Sequence, residues 1–144
     1  MDNLTRSTVA AIALVLLTAC GSSYNTSPTP AYPFVSGTWS GTMQSDNSGT
    51  NNVALVLTSN NSLVVGTWTS TAGWSGSVTG GLGTQGNFSG ALTFTATNAD
   101  GSACTGSGTF GGAFTSSRFS AASNGFVGSC ATLPTNVTLL TQKQ

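Results

Sequence analysis

From residue 37 onward, apolar and polar residues alternate with a period of two. In NFSGALTFTATN (87–98), Phe88, Gly90, Leu92, Phe94 and Ala96 fall on one face. Asn87, Ser89, Ala91, Thr93, Thr95 and Thr97 fall on the other. Successive side chains of an extended chain point to opposite sides, so this pattern predicts a half-buried strand. VALVL from residue 53 and LVV from residue 63 are apolar on both faces and predict better-covered strands. No segment after residue 37 repeats at 3.6 residues.

The runs are separated by turn signals: SNNS at 59, STAG at 70, GGLGTQGN at 80, NADGS at 98 and SNGF at 123. Asp-Gly and Asn-Gly favour hairpins because both positions tolerate positive φ. Short connections pair consecutive strands antiparallel. The expectation is an all-β domain over residues 37–144. It is an up-and-down antiparallel meander of eight or nine strands, forming a small barrel or barrel-like sandwich. NVTLLTQ, from residue 136, is expected to pair back to the first strand at GTWSGTM. TFGGAFTSSRFS can reverse at Gly111-Gly112 or at Ser116-Ser117. The first choice, giving two short strands, is the working expectation.

One five-residue word recurs: aromatic, any, Gly, small, any. It reads WSGTM at 39, WSGSV at 74, FSGAL at 88, FGGAF at 110 and FVGSC at 126. The spacing is irregular, which excludes a solenoid of fixed period. Glycine beside an inward aromatic suits a sharply bent strand, because a position without Cβ can curve and a neighbouring ring can cover the gap. The competing reading is an interior kept open for a ligand.

The N-terminal region follows other rules. VAAIALVLLTA (9–19) is an uncharged run too short to span a bilayer, which takes about 20 apolar residues. After Arg6, it fits the apolar region of a secretory signal. Leu17-Thr18-Ala19-Cys20 resembles the lipobox of bacterial lipoproteins. That resemblance implies cleavage before Cys20, acylation of its thiol and new amino group, and a membrane anchor of more than one acyl chain. Residues 1–19 are then the signal peptide, and Gly21 implies the outer membrane rather than the inner one. Residues 20–36 form the lipidated cysteine and a tether rich in Ser, Thr and Pro. Extended at about 3.1 Å per residue, residues 21–34 reach on the order of 40 Å.

Composition narrows the chemistry. The side-chain charges number three basic and three acidic, with no His and no Glu, against 24 Thr, 21 Ser and 19 Gly. Nucleic acid is excluded as a partner, since no basic footprint exists. With His absent and the only Lys at position 143, no base stands ready to activate a hydroxyl. Asp46 and Asp100 fall in expected turns, where Asp is a standard residue. The chain reads as a non-enzyme without cofactor or metal site. Setting Cys20 aside leaves Cys104 and Cys130, an even pair in an exported chain, which reads as a disulfide. Turns at Gly111-Gly112 and Asn124-Gly125 would put the two cysteines on either side of Phe119, about 9.6 Å apart. A bridge then needs strong curvature, a bulge or a shifted register.

Gly37-Thr38-Trp39 resembles the G-x-W opening of lipocalins and the first strand of avidins. The lipocalin likeness implies that a late arginine, here Arg118, packs over Trp39 as a structural cation–π pair. Trp68 and Trp74 flank the STAG turn and are the candidate ligand-binding residues, by stacking on a small apolar molecule or a glycan. Two functions follow for a lipid-anchored protein of the cell envelope. One is a barrel that binds such a ligand, and the other is a filled barrel that contacts an envelope protein. A connected cavity supports the first; a filled interior with an exposed apolar patch supports the second.

Overall fold

The computed structural model describes residue 29, residues 31–123 and residues 125–144. The signal-peptide, Cys20 and most of the tether expectations lie outside the described residues. Nine strands follow in chain order: β1 (Gly37–Ser45), β2 (Gly49–Asn60), β3 (Leu63–Ser70), β4 (Ser75–Leu82), β5 (Asn87–Thr97), β6 (Ala103–Phe114), β7 (Arg118–Ser123), β8 (Phe126–Gly128) and β9 (Val137–Lys143). All neighbours pair antiparallel, in the order β5-β4-β3-β2-β1-β9-β7-β6, and β6 pairs back to β5. Eight strands therefore close into a barrel, with β8 as a short ninth on the edge of β6. β9 pairs with β1 from Trp39↔Lys143 to Ser45↔Val137, as its alternation predicts.

Three hairpins share one turn. At Ser70–Trp74, Gly83–Asn87 and Asn98–Ser102 the first N–H donates to the fifth carbonyl, and the fourth N–H donates to the first. The fourth residue is glycine each time, with φ of 80°, 86° and 84° at Gly73, Gly86 and Gly101. This is the three-residue loop that ends in a left-handed glycine.

Eight strands enclose a space that side chains can fill, and here they fill it. Twenty-two buried apolar residues make one continuous core, with the Trp39 ring fully covered. Trp39 donates its indole N–H to the Val35 carbonyl at 2.9 Å. Val35 is itself fully buried, so the core begins two residues before the expected domain start. Apolar residues face in and most hydroxyls face out, the reverse of a membrane-spanning barrel, with Ser45, Ser123 and Thr141 as buried exceptions. The expectation that VALVL and LVV are covered on both sides fails. Val56, Leu63 and Val65 stand on the outer surface, with Val56 56 % exposed.

The repeated word is the inner-face triplet of five strands: Trp39/Gly41/Met43, Trp74/Gly76/Val78, Phe88/Gly90/Leu92, Phe110/Gly112/Phe114 and Phe126/Gly128/Cys130. At every one of its central glycines, a Cβ would strike a carbonyl oxygen of the adjacent strand. The strand bends so sharply there that the side-chain direction turns into its neighbour. Rings cover the gaps: a Cβ on Gly80 would meet the Phe88 ring at 2.6 Å, and one on Gly108 the Phe126 ring at 2.6 Å. Curvature, not an open interior, accounts for the glycines.

Two turn expectations are corrected. β6 runs unbroken through Gly111-Gly112, and the reversal comes at 115–117, where the Thr115 N–H donates to the Arg118 carbonyl. SNGF at 123 is not a hairpin either. β7 and β8 both run antiparallel to β6, and the register slips by one between Gly111↔Ala122 and Gly108↔Phe126. One extra residue is a β-bulge, not a reversal. β7 and β8 thus follow a single edge of β6. Extending the β8 register places Cys130 opposite Cys104 on the adjacent strand, and they form a disulfide with Cα atoms 4.9 Å apart. The two-strand separation inferred from sequence came from the two misplaced turns.

Candidate functional site

With the interior filled, the hollows that remain lie on the outside. One of them, about 810 Å³, crosses β3, β4, β5, β6 and β8. Its floor follows one line of paired residues: Trp68↔Gly76, Gly76↔Phe94, Phe94↔Gly106 and Gly106↔Gly128. Three of these five positions are glycine, so the sheet pinches inward along the line and the outer surface sinks. Hydroxyl rows rise on both sides. Thr67, Ser77, Thr93 and Ser107 are paired neighbours on one side, and Thr69, Ser75, Thr95 and Thr105 on the other. Five strands at about 4.8 Å make a trough roughly 19 Å long, and two residues along a strand make it about 7 Å wide.

Some hydroxyls are already zipped across the strands. Ser77 and Thr93 lie 2.7 Å apart, and Ser75 and Thr95 3.4 Å. The Trp68 indole N–H donates to the Thr93 carbonyl at 3.0 Å, fixing the ring under the floor. No charged side chain borders the trough. The apolar ends of the first hydroxyl row are Val56, paired with Thr67, and Val127, paired with Ser107 and 71 % exposed.

The two tryptophans singled out from sequence do not form a stacking platform. Trp68 is 2 % exposed, and Trp74 lies flat on Phe94 with ring centres 4.9 Å apart. Trp68 belongs to the core and the half-buried Trp74 packs against it, because alternation carries both rings to the face of Gly76 and Phe94. Trp68 touches the trough only through its floor. The Trp39–Arg118 pair is also corrected. Arg118 precedes the inward Phe119, so alternation turns it outward, where it is exposed. The cation over Trp39 is Lys143, with Nζ 5.7 Å from that ring centre and 4.7 Å from Phe34's.

Sequence reasoning missed the hydroxyl rows. Their signal is a motif of hydroxyl, any, hydroxyl in four successive strands: Thr67-Trp68-Thr69, Ser75-Gly76-Ser77, Thr93-Phe94-Thr95 and Thr105-Gly106-Ser107. The strand pairings are needed to see that these motifs line up.

The acids serve turns. Asp46 accepts from the Thr135 hydroxyl and N–H, tying the β1–β2 turn to the segment before β9. Asp100 accepts from the Ser102 N–H at 2.9 Å and from its hydroxyl. These bonds, the hydroxyl of Thr135 or Ser102 foremost, hold both carboxyls below their ordinary value of 3.8. A depressed carboxyl contributes stability above its unfolded pKa and loses it as pH falls through the folded one. With no His in the chain, thermal denaturation should show a melting temperature flat from about pH 5 to 8 and falling only below about pH 4. Asp46→Asn should flatten part of the acid limb.

Among the described residues, no group of three or more His, Cys, Asp or Glu could hold a metal ion. No helix among them is long and apolar enough to cross a membrane. No family model matches the chain, and no curated protein or solved structure matches it either.

Proposed function

We propose that this is a lipid-anchored, non-enzymatic protein of the cell envelope that acts through its surface rather than its interior: a rigid barrel whose outer trough holds an uncharged, hydroxyl-rich chain such as a glycan strand.

 The lipobox resemblance of Leu17-Thr18-Ala19-Cys20 supports the anchor and the outer-membrane address. The filled core supports an outward-facing role, because it leaves no room for a ligand inside. The observation that carries the reading is the trough itself, with two parallel hydroxyl rows and no charge between them. Hydroxyls that donate and accept suit the hydroxyls of a neutral sugar chain, and a pre-formed groove costs little ordering on binding.

Calorimetric titration with neutral oligosaccharides of about four to six sugars, long enough to span the roughly 19 Å trough, tests this. Binding should be insensitive to salt, since no ion pairs form. Thr95→Val with Ser107→Ala should weaken it by about thirtyfold, two lost hydrogen bonds being worth about 1 kcal/mol each. Equal binding by that variant, or none by the parent, overturns the glycan reading. A second reading has its own support. Val56, Leu63 and Val65 form an exposed apolar patch beside the trough, which favours an envelope protein as the partner.

A further inference from the structure

The strand directions sort the turns into two ends. The chain enters at one end, through residues 31–36, together with the β2–β3, β4–β5 and β6–β7 turns and the close of β9. The β1–β2, β3–β4 and β5–β6 turns lie at the other. Four charged side chains fall among the described residues, and they segregate completely. Arg118 opens β7 and Lys143 closes β9, both at the entry end. Asp46 and Asp100 sit in turns at the far end.

The entry end also carries exposed apolar side chains. Phe34 is 74 % exposed and Leu63 51 %, and Tyr32, two residues before Phe34, is exposed as well. The Lys143 ammonium lies over the Phe34 ring and donates to the Phe34 carbonyl at 3.2 Å. Aromatic rings next to amines are the composition of a membrane–water interface, where the ring sits among headgroups and the amine meets phosphate.

We propose that the entry end of the barrel rests on the lipid surface, against anionic phospholipid headgroups, and that the acidic end points away from it. The proposal rests on the lipoprotein reading, since the acylated Cys20 lies only 11 residues before Ala31 and holds this end close to the bilayer. Tethering makes docking intramolecular, with an effective concentration in the millimolar range, so even a weak surface affinity keeps the end engaged. Each cation near an anionic surface adds attraction, and the two acids at the far end oppose the inverted pose. The trough then runs obliquely around the side of the barrel and clear of the membrane, because it crosses tilted strands toward their far ends.

Hydroxyl-radical footprinting of the full mature protein tests this, in vesicles of phosphatidylethanolamine and phosphatidylglycerol. Vesicles of phosphatidylcholine, and the anionic vesicles at high salt, serve as the comparisons. Oxidation of Tyr32 and Phe34 should fall about fivefold in the anionic vesicles relative to both, as expected for millimolar tethering onto a charged surface. Trp74 and Val127 should be oxidised equally in all three. Arg118→Gln, at an exposed position, should recover part of the oxidation at Tyr32. Equal oxidation of Tyr32 and Phe34 in all three, or protection that extends to Trp74 and Val127, overturns the proposal. Intact mass on the same sample separates the two claims. An acylated Cys20 without protection overturns the orientation alone, and an unmodified Cys20 overturns the anchor and the orientation together.

Discussion

Gly76→Ala should destabilise the barrel by about 3 kcal/mol or more, whereas Gly73→Ala, three residues earlier, should cost only about 1 kcal/mol. The two glycines are constrained by different physics. Gly73 adopts a φ of 80° in the β3–β4 turn, and a Cβ there would meet nothing within 4 Å. Its substitution bears the left-handed penalty alone. Gly76 has ordinary strand geometry, but a Cβ would lie 2.6 Å from the Thr93 carbonyl carbon and 2.8 Å from the Phe94 Cα. Those atoms are backbone, so relief requires β4 and β5 to separate and their ladder to stretch. Chemical denaturation of both variants checks the difference. Equal costs would mean that the bend at Gly76 relaxes freely, and the account of the repeated word would fall with it. Because Gly76 also forms the trough floor, Gly73→Ala is the variant expected to keep any glycan binding.

Much of the architecture was legible because a period of two is a strong signal and each hairpin glycine marks its turn. β5 follows its alternation, and β9 keeps the frame although Leu140 turns outward and Thr141 inward. What misled was chemistry that serves two purposes. Gly-Gly suits a hairpin, yet at 111 and 112 it lies within β6, where Gly112 is the central glycine of a Phe110/Gly112/Phe114 triplet. Holding that triplet in the frame of the other four words would have kept the strand whole. The glycine of the second misread signal, Gly125, misled for the same reason: a positive φ, here 129°, serves a bulge as well as a turn. Arg118 was misassigned on likeness to another family, although its place beside the inward Phe119 turns it outward. The trough was invisible for a different reason. Its rows run across strands, so they exist only once five registers are known, and a single strand shows just one hydroxyl pair.

Reducing the Cys104–Cys130 disulfide should lower stability by about 3 kcal/mol, as expected for a closed loop of this size. The bridge spans 26 residues. Between its ends lie the β6–β7 reversal, all of β7, the bulge and β8. β8 is three residues long and pairs only with β6, from Gly106↔Gly128 to Gly108↔Phe126. So short an edge strand has few bonds of its own, and the bridge fixes it where its ladder ends. Cys104 is buried and Cys130 packs against the core, so the pair also joins the sheet edge to the barrel wall. Melting with and without a reductant, alongside the Cys104→Ala/Cys130→Ala variant, measures the effect. Hydrogen exchange should then show the loss concentrated in β8 and the loop before β9, with β1–β5 still protected. A uniform loss across all strands would mean that the bridge acts through the unfolded chain alone. Because Val127 and Gly128 border the trough, reduction should also weaken binding there even where the barrel stays folded. The disulfide would then matter twice, holding both the last strand of the sheet and one end of the groove.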